Sequence, residues 1–97
     1  MIVAFSVSPS GGDASVGAAV VEAIRVVRAS GLPNETNAMF TNIEGEWDEV
    51  MAVVKQAIDV VAAVSSRESL VLKADIRPGH TGQLAAKVAR IDEALGN

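Results

Sequence analysis

Two segments with helical apolar periodicity, each lying between strand-like runs, constrain the fold of this chain most strongly. The first helix is predicted over residues 15–30, where apolar residues recur at helical spacing and Gly31 follows as a stop signal. Asp13 or Ser15 is expected to cap its start. The second helix is predicted over residues 47–64, with an acidic first turn that suits the positive end of the helix dipole. Both helices carry an apolar stripe, so both need a surface to pack against.

Short runs rich in strand-forming residues surround these helices. The predicted strands cover residues 2–8, 34–40, 41–44 and 70–76. A last helix, which Thr81 is expected to cap, follows the final strand. The order therefore contains two strand–helix–strand units, and right-handed crossovers arrange such units in one sheet. The prediction is a single α+β domain over residues 1–97: a ferredoxin-like βαββαβ plait with a four-stranded antiparallel sheet and an extra C-terminal helix.

The apolar content exceeds what one small core can hide. The chain has 97 residues, of which 49% are hydrophobic and only 3% aromatic. The predicted plait places both long helices on one sheet face, so Val71 and either Ile2 or Ala4 would lie on a bare face. Because large exposed apolar surfaces usually mark partner surfaces, we expect self-association, with the sheet face of one subunit packed on that of another.

Charge and composition exclude several classes of function. The net charge is −4, and the eight basic residues are scattered along the chain, so nucleic-acid binding is not expected. The absence of cysteine excludes disulfides and thiolate metal sites. The N-terminus does not resemble a signal peptide, and no apolar run approaches the roughly 20 residues that span a bilayer. The sequence therefore predicts a soluble cytoplasmic protein without membrane contact.

A catalytic centre is not expected. The only histidine, His80, lies in a loop, and a lone histidine is a poor metal site. Ser6 and Ser8 have no partner base in the sequence. The Gly11-Gly12 pair follows a strand, but the G-x-G-x-x-G spacing is absent and no lysine follows, so it is read as a turn rather than a phosphate loop.

The segment at residues 37–49 combines aromatic, amide, hydroxyl and carboxylate groups more densely than any other part of the chain. Glu44 is either an acceptor for a cationic or amino-bearing ligand or a carboxylate that satisfies amides where the next helix begins. Asp75 is either a ligand group or a member of an ion-pair ladder with Lys73 and Arg77. Trp47 and Met39 are expected in the core.

Three segments resemble one known family. The run Met-Phe-Thr-Asn-Ile-Glu-Gly-Glu at residues 39–46, continued by Asp-Glu-Val-Met at 48–51, is similar to the signature of the small thiamine-binding protein family, once described as a domain of unknown function. Residues 5–9 and 73–77 also resemble that family. The resemblance implies a ferredoxin-like subunit, a dimer of sheets assembled into a tetramer, and thiamine or its hydroxymethylpyrimidine part bound between subunits. From the residues themselves we expect no catalytic residues, no metal and no cofactor.

A ligand of this kind needs a matched set of protein groups. Its thiazolium ring is a permanent cation and its aminopyrimidine ring offers hydrogen-bond donors and acceptors, so carboxylate, amide, hydroxyl and apolar groups are required. The predicted ligand-binding residues are Ser6, Ser8, Thr41, Asn42 and Glu44, followed by Asn37, Met39 and Asp75. Strand alternation prevents all of them from sharing one face.

Two alternatives stay open at this point. One is a ferredoxin-like regulatory or interaction module that binds an amino acid or a partner protein. The other is an enzyme of the dimeric α+β barrel kind, which would need a base or bound cofactor in a convergent pocket.

Overall fold

Four strands and three helices form the chain in a computed structural model that describes residues 1–10 and 16–96. In chain order they are β1 (Ile2–Pro9), α1 (Val16–Ala29), β2 (Asn34–Thr36), β3 (Thr41–Glu44), α2 (Trp47–Ala62), β4 (Glu68–Asp75) and α3 (Gln83–Ala94). The strands form one antiparallel sheet in the order β2-β3-β1-β4. This order confirms the ferredoxin-like plait. The predicted turn at Gly11-Gly12 and the predicted caps Asp13 and Ser15 lie outside the described residues.

The central strand β1 separates the two faces of the sheet by simple alternation. Val3, Phe5 and Val7 are buried on the face that packs against α1 and α2. The residues between them are only half-buried and lie on the opposite face, which we call the open face. β1 pairs with β3 over Ile2–Phe5 and with β4 along its whole length. The open face therefore carries residues from β1, β3 and β4.

Small apolar residues build the core between the sheet and the helices. α1 contributes Ala19, Ala23 and Val27, whose spacing of four places them on one side of the helix. On the sheet, Ile43 is fully buried. The buried residues of α2 are Val50, Val53, Val54, Ala57 and Val61. Alanine at the contact lets the backbones of two helices or of a helix and a sheet approach closely, which explains how so few aromatic residues suffice.

Two residues predicted to be in the core are exposed. Trp47 has an exposed fraction of 54% because it is the first residue of α2, one turn ahead of Val50, the first buried residue of the helix. Met39 is 73% exposed because it lies at the tip of the connection between β2 and β3. Helical and strand periodicity identifies the correct side of each element but not how far the core extends along it.

The connection between β2 and β3 also begins earlier than predicted. β2 ends at Thr36 rather than at residue 40, because the side-chain oxygen Oδ1 of Asn37 accepts hydrogen bonds from the backbone N–H groups of Met39 and Phe40, each at 2.9 Å. These amides are therefore turned away from the strand ladder. An asparagine that holds a turn in this way is common in proteins. The remaining boundaries differ from the prediction by two residues or fewer.

The start of α3 corrects another prediction. Its N-cap residue is Gly82, in the left-handed conformation with φ of 66°, and not Thr81. Glycine has no side chain to cap the first amides, so the cap must come from elsewhere in the chain. No residue of α3 is buried. Across the described ranges 1–10 and 16–96, none of the helices combines the length and apolar character required to cross a membrane.

Candidate ligand-binding site

A cleft of about 230 Å³ lies where β1 continues past the end of β3. We call it the β1 cleft. Its walls are residues 5–8 of β1, residues 36–41 of the β2–β3 hairpin, and Val20, Ala23 and Ile24 of α1. The cleft exists because β3 pairs with β1 only as far as Phe5, after which the hairpin turns away. The missing length of β3 leaves a space bounded by strand, hairpin and helix.

The β1 cleft brings together five of the residues predicted from the sequence to bind a ligand. They are Ser6, Ser8, Asn37, Met39 and Thr41. Two aromatic rings, Phe5 and Phe40, line the same space. Hydroxyl groups set among apolar and aromatic side chains are typical of sites for small organic molecules. The periodicity of the sequence did not indicate Val20 and Ile24 as part of this wall, because which side of α1 meets the cleft depends on tertiary packing.

Asn37 contributes to the β1 cleft mainly by shaping it. Its Oδ1 is occupied by the amides of Met39 and Phe40, and its backbone N–H donates to the carbonyl oxygen of Phe40 at 3.0 Å. These bonds close the hairpin and fix where Met39 and Phe40 lie.

The other three predicted residues lie outside the β1 cleft. Asn42 is opposite Ala4 in the ladder, and both Glu44 and Asp75 are opposite Ile2, so all three are on the open face. Asn42 donates from Nδ2 to Glu35 across the strand pair at 3.5 Å. The strand part of the motif is thus divided: Thr41 lines the β1 cleft, whereas Asn42 and Glu44 lie on the open face.

Glu44 caps α3. Glu44 is 5% exposed, and its carboxylate accepts the backbone N–H of Gln83 at 2.9 Å and that of Leu84 at 3.1 Å. A carboxylate at a helix N-terminus is stabilised by these charge-assisted hydrogen bonds and by the helix dipole. The interpretation of Glu44 as a carboxylate that satisfies helix amides is therefore right in kind, but the helix is α3 and not the adjacent α2.

Asp75 forms an ion pair with Lys87 of α3, whereas the predicted partners Lys73 and Arg77 act on it only through their charges. The hydrogen bond from Lys87, and then the charge of the same ammonium, hold the pKa of Asp75 below its ordinary value of 3.8. Glu44 and Asp75 together tie α3 to two strands of the sheet. Neither link is visible from the local sequence, because both partners come from distant elements.

The substitution Asp75→Asn should reduce stability in a pH-dependent way. The pKa of Asp75 is lower in the folded than in the unfolded protein, so its ion pair stabilises the fold above the unfolded-state value near 3.8 and loses this effect as the pH falls through the folded-state pKa. Urea unfolding should therefore separate wild type from the variant near neutral pH and bring them together in acid. Asp92→Asn is the control, because Asp92 is an exposed aspartate on α3. A difference that persists unchanged in acid would contradict this account of the ion pair.

A second cleft, of about 220 Å³, lies beside the start of α3. Glu46, Glu49 and His80 are among its lining residues. The Oε1 of Glu49 accepts the backbone N–H of Glu46 at 3.1 Å, so one of these carboxylates serves to start α2. Within residues 1–10 and 16–96, no three His, Asp or Glu side chains are grouped closely enough to hold a metal ion.

The strand order and the three helices define a small ferredoxin-like protein, with a cleft beside the central strand of its sheet. The chain belongs to the thiamine-binding protein family, whose model matches residues 3–92. This confirms the resemblance of the central motif. A UPF0045 protein of Mycobacterium bovis is 56% identical over 96 residues, which cover 98% of this chain and 94% of the relative.

Solved structures show the same architecture. A hypothetical protein of Methanocaldococcus jannaschii has a TM-score of 0.83 at 35% identity, with 95% of each chain covered. A protein of Thermotoga maritima, provisionally assigned to thiamine biosynthesis or salvage, has a TM-score of 0.78 at 26% identity, covering 93% of this chain and 96% of that one. These likenesses and the family support a thiamine-related role.

Proposed function

We propose that this chain binds thiamine or its hydroxymethylpyrimidine part in the β1 cleft, without catalysing a reaction. The observation that carries the proposal is the position of the family-like segment: Met39, Phe40 and Thr41 form one wall of a 230 Å³ cleft. Ser6 and Ser8, from the second family-like segment, form part of another wall. Two motifs distant in sequence thus meet at one site.

The chemistry of the walls suits the two rings of thiamine differently. The hydroxyls and the backbone of β1 offer donors and acceptors to an aminopyrimidine ring, while Phe5 and Phe40 offer aromatic surface. No Asp or Glu among the described residues lines the β1 cleft. The thiazolium cation is therefore expected at the mouth of the cleft, where an aromatic face or water meets its charge.

We further propose that the site is completed in a homo-oligomer, as a dimer of dimers. Val71 on the open face is 55% exposed, and α3 presents Val88, Ile91 and Leu95 at exposed fractions of 51%, 59% and 69%. An isolated subunit rarely exposes so many large apolar side chains on adjoining surfaces. Met39 is exposed at the rim of the cleft, where a neighbouring subunit would cover both it and a bound ligand.

Thermal unfolding with added ligand tests the proposal. Thiamine, its phosphates or hydroxymethylpyrimidine should raise the melting temperature by several degrees, because a ligand at 100 times its Kd stabilises the folded state by about 2.7 kcal/mol. Ser8→Ala should reduce this shift. Ser69→Ala is the matched control, since Ser69 lies opposite Ser8 on β4 and does not line the β1 cleft. No shift with any of these compounds at millimolar concentration would overturn the proposal.

A further inference from the structure

The hydrogen bonds at the two ends of β1 show whether the N–H and C=O of each β1 residue point toward β3 or toward β4. The N–H of Gly45, just after β3, donates to the carbonyl of Met1 at 3.1 Å, and the N–H of Ser10 donates to the carbonyl of Arg67, just before β4, at 2.8 Å. In an antiparallel sheet, the N–H and C=O of one residue point to the same neighbour, and successive residues alternate between neighbours. The odd-numbered residues of β1 therefore face β3, and the even-numbered residues face β4.

Among the described residues, this alternation leaves Val7 with an edge that β3 does not pair. Val3 and Phe5 pair with Ile43 and Thr41 of β3, but β3 ends there. Pro9 faces the same side and has no N–H. Val7 is thus the residue beyond the end of β3 that directs both an N–H and a C=O into the β1 cleft, where it forms part of the wall.

Val7 is also largely shielded from water, counting its backbone and side chain together. Val7 is only 5% exposed. No backbone hydrogen bond among the described residues joins it to the hairpin. Backbone groups buried to this degree are almost always paired, with protein, water or ligand, because an unpaired one costs free energy. The edge of Val7 therefore presents a backbone donor and acceptor to the β1 cleft.

Asn37 is the reason that this edge stays open. Continuing the register of the β1–β3 pair would place Met39 opposite Val7. The N–H of Met39 donates instead to Oδ1 of Asn37, at 2.9 Å. The hairpin thus diverts the amide that would otherwise complete the ladder, and leaves a gap one residue long.

We propose that Val7 recognises a planar nitrogen heterocycle that carries an amino group next to a ring nitrogen. The ring nitrogen accepts the N–H of Val7, and the amino group donates to its C=O, so that the ring takes the place of the missing ladder residue. This inference rests on the proposed function, and it identifies which part of the ligand is read. The aminopyrimidine ring of thiamine has such an edge. Ser6, Ser8 and the aromatic side chains then surround the ring, while the two hydrogen bonds to the backbone of Val7 determine which edge of the ring is recognised.

The proposal predicts discrimination against oxythiamine, in which a carbonyl replaces the amino group. In the same pose, this carbonyl would face the C=O of Val7, leaving two acceptors opposed. A buried polar group left without its partner weakens binding by roughly tenfold or more. Calorimetric titration of the wild-type protein should therefore give a Kd for oxythiamine at least about tenfold above that for thiamine. Equal affinities would overturn the proposal.

The amide of Val7 provides a direct readout in the unmodified protein. In ¹⁵N-labelled protein, added hydroxymethylpyrimidine should shift the Val7 amide resonance downfield and slow its hydrogen exchange. The amides of Ala4 and Ser6, which face β4, should change less. Binding that leaves the Val7 amide unchanged would overturn this inference while the proposed function stands. No binding of thiamine or of hydroxymethylpyrimidine would overturn both the proposed function and this inference.

Two pairs of variants test the inference independently. Val7→Pro removes the N–H, which takes no part in the β1–β4 ladder. Val7→Ala shortens the side chain but keeps the N–H. The proline variant should bind thiamine at least about tenfold more weakly than the alanine variant. Asn37→Ala should weaken binding, and Asn37→Asp, which keeps the turn-forming oxygen, should restore it. Equal binding within each pair would contradict the proposal. If Val7→Pro does not fold, the resonance and hydrogen exchange of the Val7 amide in the wild-type protein test the proposal instead.

Discussion

Replacing Glu44 with alanine is expected to detach the start of α3 from the sheet. The change leaves the N–H groups of Gln83 and Leu84 without their acceptor and removes a buried carboxylate that they stabilise. The substitution removes two hydrogen bonds to a charged group and, with them, the cap of α3. We expect this loss to lower the free energy of unfolding by about 2 to 3 kcal/mol. The effect is expected to be large because α3 buries none of its own residues and depends on this cap and on the Asp75–Lys87 pair.

Hydrogen exchange and urea unfolding measure this effect. The amides of Gln83 and Leu84 should exchange much faster in Glu44→Ala than in wild type. Glu44→Gln, which keeps one oxygen, should be intermediate. Glu35→Ala removes an exposed carboxylate from β2 and should change the free energy of unfolding by less than about 0.5 kcal/mol. Unchanged protection of both α3 amides in Glu44→Ala would show that the cap contributes nothing.

The substitution Val71→Lys is expected to dissociate the proposed oligomer while leaving the subunit folded. Val71 lies on the open face opposite Ser6 and is 55% exposed in the isolated subunit, so a lysine there does not disturb the core. If two open faces pack together, the lysine charge is buried without a partner, at a cost of several kcal/mol. Such a cost corresponds to a weakening of association by more than about a hundredfold.

Light scattering provides the comparison. Val71→Lys should have a smaller mass than wild type at the same concentration. Val21→Lys is closely matched, since Val21 is 53% exposed but lies on α1, away from the open face, and its mass should equal that of wild type. A wild-type mass for Val71→Lys would show that the open face is not the interface. If assembly is required for binding, the dissociated variant should also lose its thermal stabilisation by thiamine.

The fold was predictable because the periodicity of each element agrees with its position. The buried residues of β1 and the buried Thr41 and Ile43 of β3 follow strand alternation. Those of α1 and α2 follow helical spacing, so the order of elements leaves few arrangements. The periodicity of the sequence does not show how far along each helix or strand the buried core extends. Trp47 fits the stripe of α2 but lies beyond the core, and Met39 fits an extended strand but lies at the tip of a turn.

The candidate site was predictable only in part, for a physical reason. The composition of residues 37–49 indicated a ligand-binding segment, and strand alternation predicted that its side chains would divide between two faces. The position of the cleft depends on where the hairpin leaves the sheet, which the side chain of Asn37 decides. The role of Glu44 depends on a helix that starts 39 residues later. Local sequence does not encode either fact.

The most direct test of the account is a crystal structure of the protein grown with thiamine. The account predicts thiamine in the β1 cleft, between residues 5–8 of β1 and the β2–β3 hairpin, with its aminopyrimidine ring against Val7 and a second subunit packed on the open face. Thiamine bound in the cleft beside the start of α3, where Glu46 and His80 lie, would contradict the proposed site.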